Sequence, residues 1–202
     1  MFKKFAAEAL GLSDIGVIIA PGDYDKVDAD DYLFNEDNEK IFFLIKSKKD
    51  EYCFTNLALV HVDGDSAISS KRTIKRYDYA SYGIADVKIE TAGTIDLDVE
   101  LKFVIGNEPF SIDVKKSFIE PLKDIYKALI SISKQQHRDA VGRANALPAL
   151  EAAAGAFKIN SLSSEDALVR QFQGVLTTLN RAILDTHTMR DFTAVFEKYI
   201  HN

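Results

Sequence analysis

The sequence predicts an α+β protein: seven short antiparallel strands forming a small sheet or barrel, one amphipathic helix closing its open end, and an all-α extension behind that helix. Three observations carry this. Between Lys40 and Lys115 apolar residues recur at every second position in short runs broken by turn residues, the pattern of strands with a dry face. From Lys115 to Gln136 the period changes: Phe118, Leu122, Ile125, Leu129 and Ile132 alternate steps of four and three and share one stripe of a helix. That stripe needs a surface to cover, and the inner face of the strands is the only long apolar surface before it. Beyond about Gln135 strand signals disappear and alanine accumulates.

The first strand, Ile41 to Ile45, is apolar on both faces, so its outside must be covered as well as its inside, by an N-terminal helix or by another subunit. Lys46 to Asp50 make a polar turn into the second strand, Glu51 to Thr55. Asn56 introduces the third, Leu57 to Val62, which ends in the hairpin-turn residues Asp63, Gly64 and Asp65. The fourth, Arg72 to Tyr79, alternates basic and aromatic residues, and the fifth, Ile84 to Thr91, closes at Ala92 and Gly93. The sixth is the clearest: Leu97, Val99, Leu101, Phe103 and Ile105 alternate with Asp98, Glu100, Lys102 and Val104. Gly106 and Asn107 turn it into the seventh, where Phe110, Ile112 and Val114 repeat the alternation. Ser117 and Glu120 fit a capping box for the helix, with Pro121 in its first turn.

In the tail, seven alanines between Ala140 and Phe157 favour close-packed helix, with Pro148 as a break or a fresh start. Ser163 with Asp166 caps a helix bearing Leu168, Phe172, Val175, Leu176, Leu179 and Ile183. Thr188 with Asp191 caps another, leading to Phe192, Phe196, Tyr199 and Ile200. These helices carry more apolar surface than two helices can hide, so they dock on the strands or on one another across subunits. At the other end Met1 to Leu10 is expected as a short helix stopped by Gly11. Glu8 interrupts its apolar stretch and no small-residue cleavage site follows, which argues against a secretory signal.

Charge narrows the partner classes. Through Lys115 there are 14 basic against 22 acidic residues, and beyond it 11 against 9. An acidic first part lacks the positive field that nucleic acid needs, so no nucleic-acid partner is expected. The single cysteine, Cys53, lies in a strand as a small filler and implies a reducing, cytoplasmic setting. No apolar run reaches the roughly eighteen residues that span a bilayer.

No catalytic, metal or cofactor site is expected. His61, His137, His187 and His201 lack the spacing of a helical metal pair. Asp28, Asp30 and Glu39 occupy first, third and twelfth places of a calcium-loop window, but Leu33 stands where the sharp turn requires glycine, so Gly22 to Glu39 reads as a solvated acidic connector. Asp96, Asp98 and Glu100 read as the wet face of a strand. The candidate ligand-binding residues are Lys46, Lys48 and Lys49 at the tip of the first hairpin, where ammonium groups would hold an anion. Lys71, Arg72, Lys75 and Arg76 on the fourth strand read as protection of an exposed edge.

The order of seven strands and a closing helix, with Leu12 to Gly16 ahead of it and the run Ile84 to Leu101 inside it, resembles the bacterial pleckstrin-homology domain family. The tail from about Gln135 resembles the helical extension of its YvbH-like members. The resemblance implies a curved, seven-stranded, partly open barrel closed by a C-terminal helix, assembly into ring-shaped homo-oligomers, and no enzymatic activity. Eukaryotic relatives of the fold hold inositol phosphates on a basic first hairpin containing arginine; here that hairpin has lysines alone, and the tryptophan usual in their closing helix is absent. The expected organisation is an N-terminal helix and pleckstrin-homology-like domain over 1–134 and a helical extension over 135–202. The expected function is a non-enzymatic binding or scaffold module working as a cyclic homo-oligomer, with a protein or peptide as a further partner. A peripheral membrane module using Lys46, Lys48 and Lys49 on anionic headgroups is the alternative.

Overall fold

Among the described residues eight strands form, in two sheets, where seven in one partly open barrel were expected. In the computed structural model, described over residues 13–64, 71–91, 98–156 and 165–200, the additional strand β1 (Val17–Ile18) pairs with β2 (Ile41–Lys46). Two residues are too few to show a period of two, which is why the sequence pattern does not reveal it. The first sheet continues through β3 (Glu51–Thr55), β4 (Ala58–Gly64) and β5 (Arg72–Asp78) in chain order. The second holds β6 (Ile84–Thr91), β7 (Asp98–Ile105) and β8 (Glu108–Lys115). Every pairing within the sheets is antiparallel.

Gly16 joins the two sheets. Its N–H donates to the Asp113 carbonyl at 2.7 Å and its carbonyl accepts from Lys115 N–H at 2.9 Å, a parallel bridge to β8. A Cβ there would lie 2.8 Å from Ile45 Cγ2 and 2.9 Å from the Asp113 oxygen, so the joint closes only around glycine. At the opposite end of β8, Gly106 takes φ 62° in the turn from β7.

From β2 to β4 the first sheet is largely buried on both faces. On one, Phe43, Ile45, Phe54, Leu59 and Tyr77 join Val99, Leu101, Phe103, Ile105, Phe110, Ile112 and Val114 of the second sheet in the main core. On the other, Leu44, Cys53, Val60 and Val62 pack with Val17, Ile19, Val27 and Ala29. Val27 and Ala29 belong to the segment expected as a solvated connector. It is instead a strap of short 3-10 turns, Pro21–Lys26 and Asp28–Tyr32, laid across the sheet. The outer cover that β2 requires thus comes from the strap; the expected helix over Met1 to Leu10 lies outside the described residues.

After a 3-10 turn, Lys116–Phe118, the helix α1 (Ile119–Ala156) starts. Glu120 is bonded to Lys123 at 2.6 Å and does not reach back as the capping box requires. Leu122, Ile125, Leu129 and Ile132 are fully buried in the main core, joined by Ala128, so the stripe covers the strands as its spacing requires. Ser133 Oγ donates to the Ile84 carbonyl at 2.6 Å and fixes this part of the helix to β6. The helix continues through Pro148 with no break there. The alanines around it supply the propensity that offsets the lost backbone bond, a cost of about 3 kcal/mol.

The chain divides into two compact units, one of residues 1–133 with 190–202, the other of residues 134–189. The second holds the rest of α1 and α2 (Glu165–Thr186). The segment from Arg190, assigned with 135–202 to the extension on sequence grounds, returns to the strands. Phe192, Phe196 and Ile200, in and around α3 (Thr193–Tyr199), are buried in the main core. Phe42 stacks on Phe196 at 5.2 Å and Tyr79 meets Phe192 edge-on at 5.7 Å. Asn56 holds the returning chain: its carbonyl accepts from Phe192 N–H at 2.9 Å and its Nδ2 donates to Asp191 Oδ1 at 3.1 Å. Among the described residues no helix is long and apolar enough to cross a membrane.

Candidate functional site

The β2–β3 hairpin carries the three lysines singled out in the sequence, and the fold sets them different tasks. Ser47, buried, ties the turn: its N–H donates to the Asp50 carbonyl at 2.8 Å while its Oγ accepts from Asp50 N–H at 3.0 Å and Lys49 N–H at 3.2 Å. Lys48 N–H donates to the Ser13 carbonyl at 2.9 Å, which pins the tip to the entry of the chain. The side chains of Lys48 and Lys49 are exposed. Lys46 turns to the outer face and bonds to Glu51. Glu51 is itself buried and accepts Asp28 N–H at 3.2 Å and Ala29 N–H at 2.8 Å, so Lys46 neutralises a carboxylate that anchors the strap. Only two of the three lysines stand at the tip as an anion site would need.

On the inner face of β3 and β4 the rings of Tyr52 and His61 stack at 4.6 Å and 10°, with Phe110 edge-on to His61 at 5.6 Å. Tyr77 meets Phe110 at 5.5 Å and Tyr82 at 5.6 Å. Both ring nitrogens of His61 are buried without a hydrogen-bond partner among the described residues, and Nε2 lies 3.5 Å from Asp50 Oδ1 in the turn. Burial pushes the Tyr52 hydroxyl up, and the charges of Asp50, Asp63 and Asp113 push it further. Tyr77 is raised in the same way, by burial and then by Glu108. The sequence did contain a signal for His61, since a period of two places it on the same face of β4 as Leu59.

The basic residues of β5 are committed within the chain. Arg76 reaches both oxygens of Glu39 at 3.0 Å, bonds Asp78 at 2.7 Å through Nε, and lies 4.6 Å over the Phe34 ring. Glu39 also accepts Thr55 Oγ1 at 2.6 Å and Phe34 N–H at 2.8 Å, so this buried carboxylate is fully engaged. Lys75 bonds Asp63 at 2.9 Å, and Arg72 lies 3.9 Å from Asp28. Ion pairing, and not edge protection alone, accounts for these cations. Asp28 and Glu39 of the calcium-loop window go to separate partners, and among the described residues no three His, Cys, Asp or Glu side chains converge on a metal position. Cys53 is fully buried, and burial first, then the charge of Glu51, holds its thiol well above the ordinary range. Asp98 and Glu100 lie on the outer face of β7; Glu100 takes Lys102 and Ser111 as partners, and Asp96 is outside the described residues.

In the second unit, Asp139 is buried and accepts Gln135 Nε2 at 2.7 Å and Met189 N–H at 2.8 Å, while Arg143 bonds the His187 carbonyl. A Cβ at Gly142 would run into the His187 ring, so glycine lets the end of this unit close on α1. Along α2, Val169, Phe172 and Leu176 are exposed, Phe172 at 61%.

Residues 9–133 match the family described as the bacterial PH domain. The full chain is 53% identical over 206 residues to a protein of Bacillus subtilis (strain 168) named "Uncharacterized protein YvbH", with all of both chains covered. A crystal structure of a PH-domain-containing bacterial protein from Exiguobacterium sibiricum 255-15 superposes with a TM-score of 0.79 at 46% identity, over 93% of this chain and all of that one.

Proposed function

Because the chain belongs to the bacterial PH domain family, we propose that it is a non-enzymatic binding and scaffold module that assembles into a ring-like homo-oligomer in the cytoplasm. The unit built on the strands presents the binding surface, and the helical extension supplies the contacts between copies. The observation that carries this is the row Val169, Phe172 and Leu176, spaced three and four residues apart along α2 and exposed in the single chain. Burying a large apolar side chain is worth about 1.5–3 kcal/mol, so a row of three left in water is a strong candidate for association. A ring requires a head-to-tail contact, in which this row meets a different surface of the next copy. The non-enzymatic part rests on the commitment of the buried acidic groups: Glu39 and Glu51 are held by arginine, lysine, hydroxyl and backbone donors that fix the strap.

Light scattering coupled to gel filtration at micromolar concentration tests the assembly. One defined species larger than a monomer is expected, and a strict monomer would contradict the proposal. The membrane reading draws support only from Lys48 and Lys49, exposed at the hairpin tip. Sedimentation with anionic vesicles at low salt separates the two readings, and no binding is expected.

A further inference from the structure

We propose that the surface met by the α2 row in the next copy is on the strap: the exposed rings of Tyr32 and Phe34, with Glu36 and Asp37 beside them set against Arg170 and Arg181 of that helix. The pairing rests on the assembly argued above and names the face that completes it. On the strap side, Tyr32 ends one 3-10 turn and Phe34 precedes the next, Asn35–Asp37; Tyr32 is 38% exposed and Phe34 50%. Phe34 is nevertheless held in place. Its N–H donates to the buried Glu39 carboxylate at 2.8 Å, and its carbonyl accepts from Asp37 N–H at 3.0 Å and from Glu39 N–H at 3.2 Å. The Arg76 guanidinium lies 4.6 Å from its ring centroid. An aromatic side chain fixed in position while half its surface meets water loses little freedom when something covers it, which is the property of an interface anchor.

Charge identifies the occupant. Between Gly22 and Glu39 eight residues are acidic and Lys26 alone is basic. Lys26 is bonded to Asp23, and the Arg76 guanidinium at the Phe34 ring is matched by Glu39 and Asp78, so neither cation cancels the field of the exposed Glu36 and Asp37. A surface that complements this one is apolar with a basic flank. The exposed side of α2 has that composition. Val169, Phe172 and Leu176 form its apolar row, and Arg170 and Arg181, both exposed, stand roughly three helical turns apart along one side of that row. Asp166 is exposed as well, a turn ahead of Val169. The two faces differ, one aromatic and acidic, the other apolar and basic. Unlike faces are what a head-to-tail contact uses, whereas a two-fold contact of row upon row would bring Arg170 and Arg181 toward their own copies.

Native mass spectrometry of mixed full-length variants tests the pairing. Tyr32→Glu with Phe34→Glu removes the strap face, and Phe172→Glu with Leu176→Glu removes the helix face. Each double variant alone is expected at the mass of one chain. Mixed in equal amounts at high micromolar concentration, the two are expected to form a dimer of one copy of each and to stop there, because one intact strap and one intact α2 remain between them. A strap variant that assembles like the wild type, or a mixture that stays monomeric, would overturn the pairing and leave assembly through α2 standing; a monomeric wild type would overturn both. A charge exchange leaves every ring in place. Arg170→Glu with Arg181→Glu is expected to raise the concentration needed for assembly several-fold, and Glu36→Lys with Asp37→Lys added to the same chain is expected to restore it. No weakening, or no restoration, would overturn the pairing, and this exchange decides if circular dichroism shows that the Phe34→Glu variant does not fold.

Discussion

Asp28 shows how one carboxylate can anchor a segment and still cost stability. Its Oδ1 is buried without a hydrogen-bond partner among the described residues, and its pKa is pushed upward by burial first and by neighbouring Glu51 second, with Lys46 and Arg72 compensating only in part. A carboxyl whose value rises on folding is penalised when ionised. The penalty is absent below its unfolded value, appears as pH rises toward the folded one, and is fully present above it. Asp28→Asn is therefore expected to raise the unfolding midpoint in urea at neutral pH, with the gain shrinking as the pH falls through the carboxylate range; a loss of stability at neutral pH would refute this. At Gly16 the sign is opposite. Gly16→Ala forces a methyl against the Asp113 carbonyl and Ile45, and is expected to cost about 1–3 kcal/mol by the same titration. The sequence marks Gly16 as a break in an apolar segment, but its joining role depends on Asp113 and Val114, far along the chain, and no local pattern reports that. The same holds for Lys46: the sequence pattern groups it with Lys48 and Lys49 at the hairpin tip, and nothing local reports that it turns under the strap to Glu51 instead.

Among the elements, α1 was the most legible. A stripe of alternating steps specifies a buried face whatever it covers, and four of its five residues are fully buried, with Phe118 at the margin. Leu129→Ala is expected to cost about 2–5 kcal/mol, since it removes a fully buried side chain from the main core. The strap was misread because its two anchoring side chains, Val27 and Ala29, are scattered among acidic residues and show no period. The role of α3 was hidden for a different reason. Seven residues make a helix too short to stand alone, so its stability comes from Phe196 and from the grip of Asn56 on Asp191, a pairing across 135 positions. Phe196→Ala is expected to cost about 3–5 kcal/mol and to unfold the strands and α3 in one transition, measured together by circular dichroism and by a probe placed at the C-terminus. Separate transitions would show that α3 is an appendage.

For the whole molecule, the division into residues 1–133 with 190–202 and residues 134–189 makes the extension an insertion between the closing part of α1 and the segment that completes the core. The Ala-rich change of composition after Gln135 announces where the insertion begins, but its end is masked, because Phe192, Phe196 and Ile200 read as one more amphipathic helix of the same tail. A chain ending at Ser133 lacks those three core residues and is expected to be unstable, whereas replacing 134–189 by a flexible Gly/Ser linker is expected to leave a folded, monomeric β unit. The proposed assembly stands on the exposed row of α2, and native mass spectrometry of the wild type beside the double variant Phe172→Glu, Leu176→Glu tests it most directly. A single closed stoichiometry for the wild type and the mass of one chain for the variant are the expected result; a wild-type monomer, or a variant that assembles like the wild type, would contradict it.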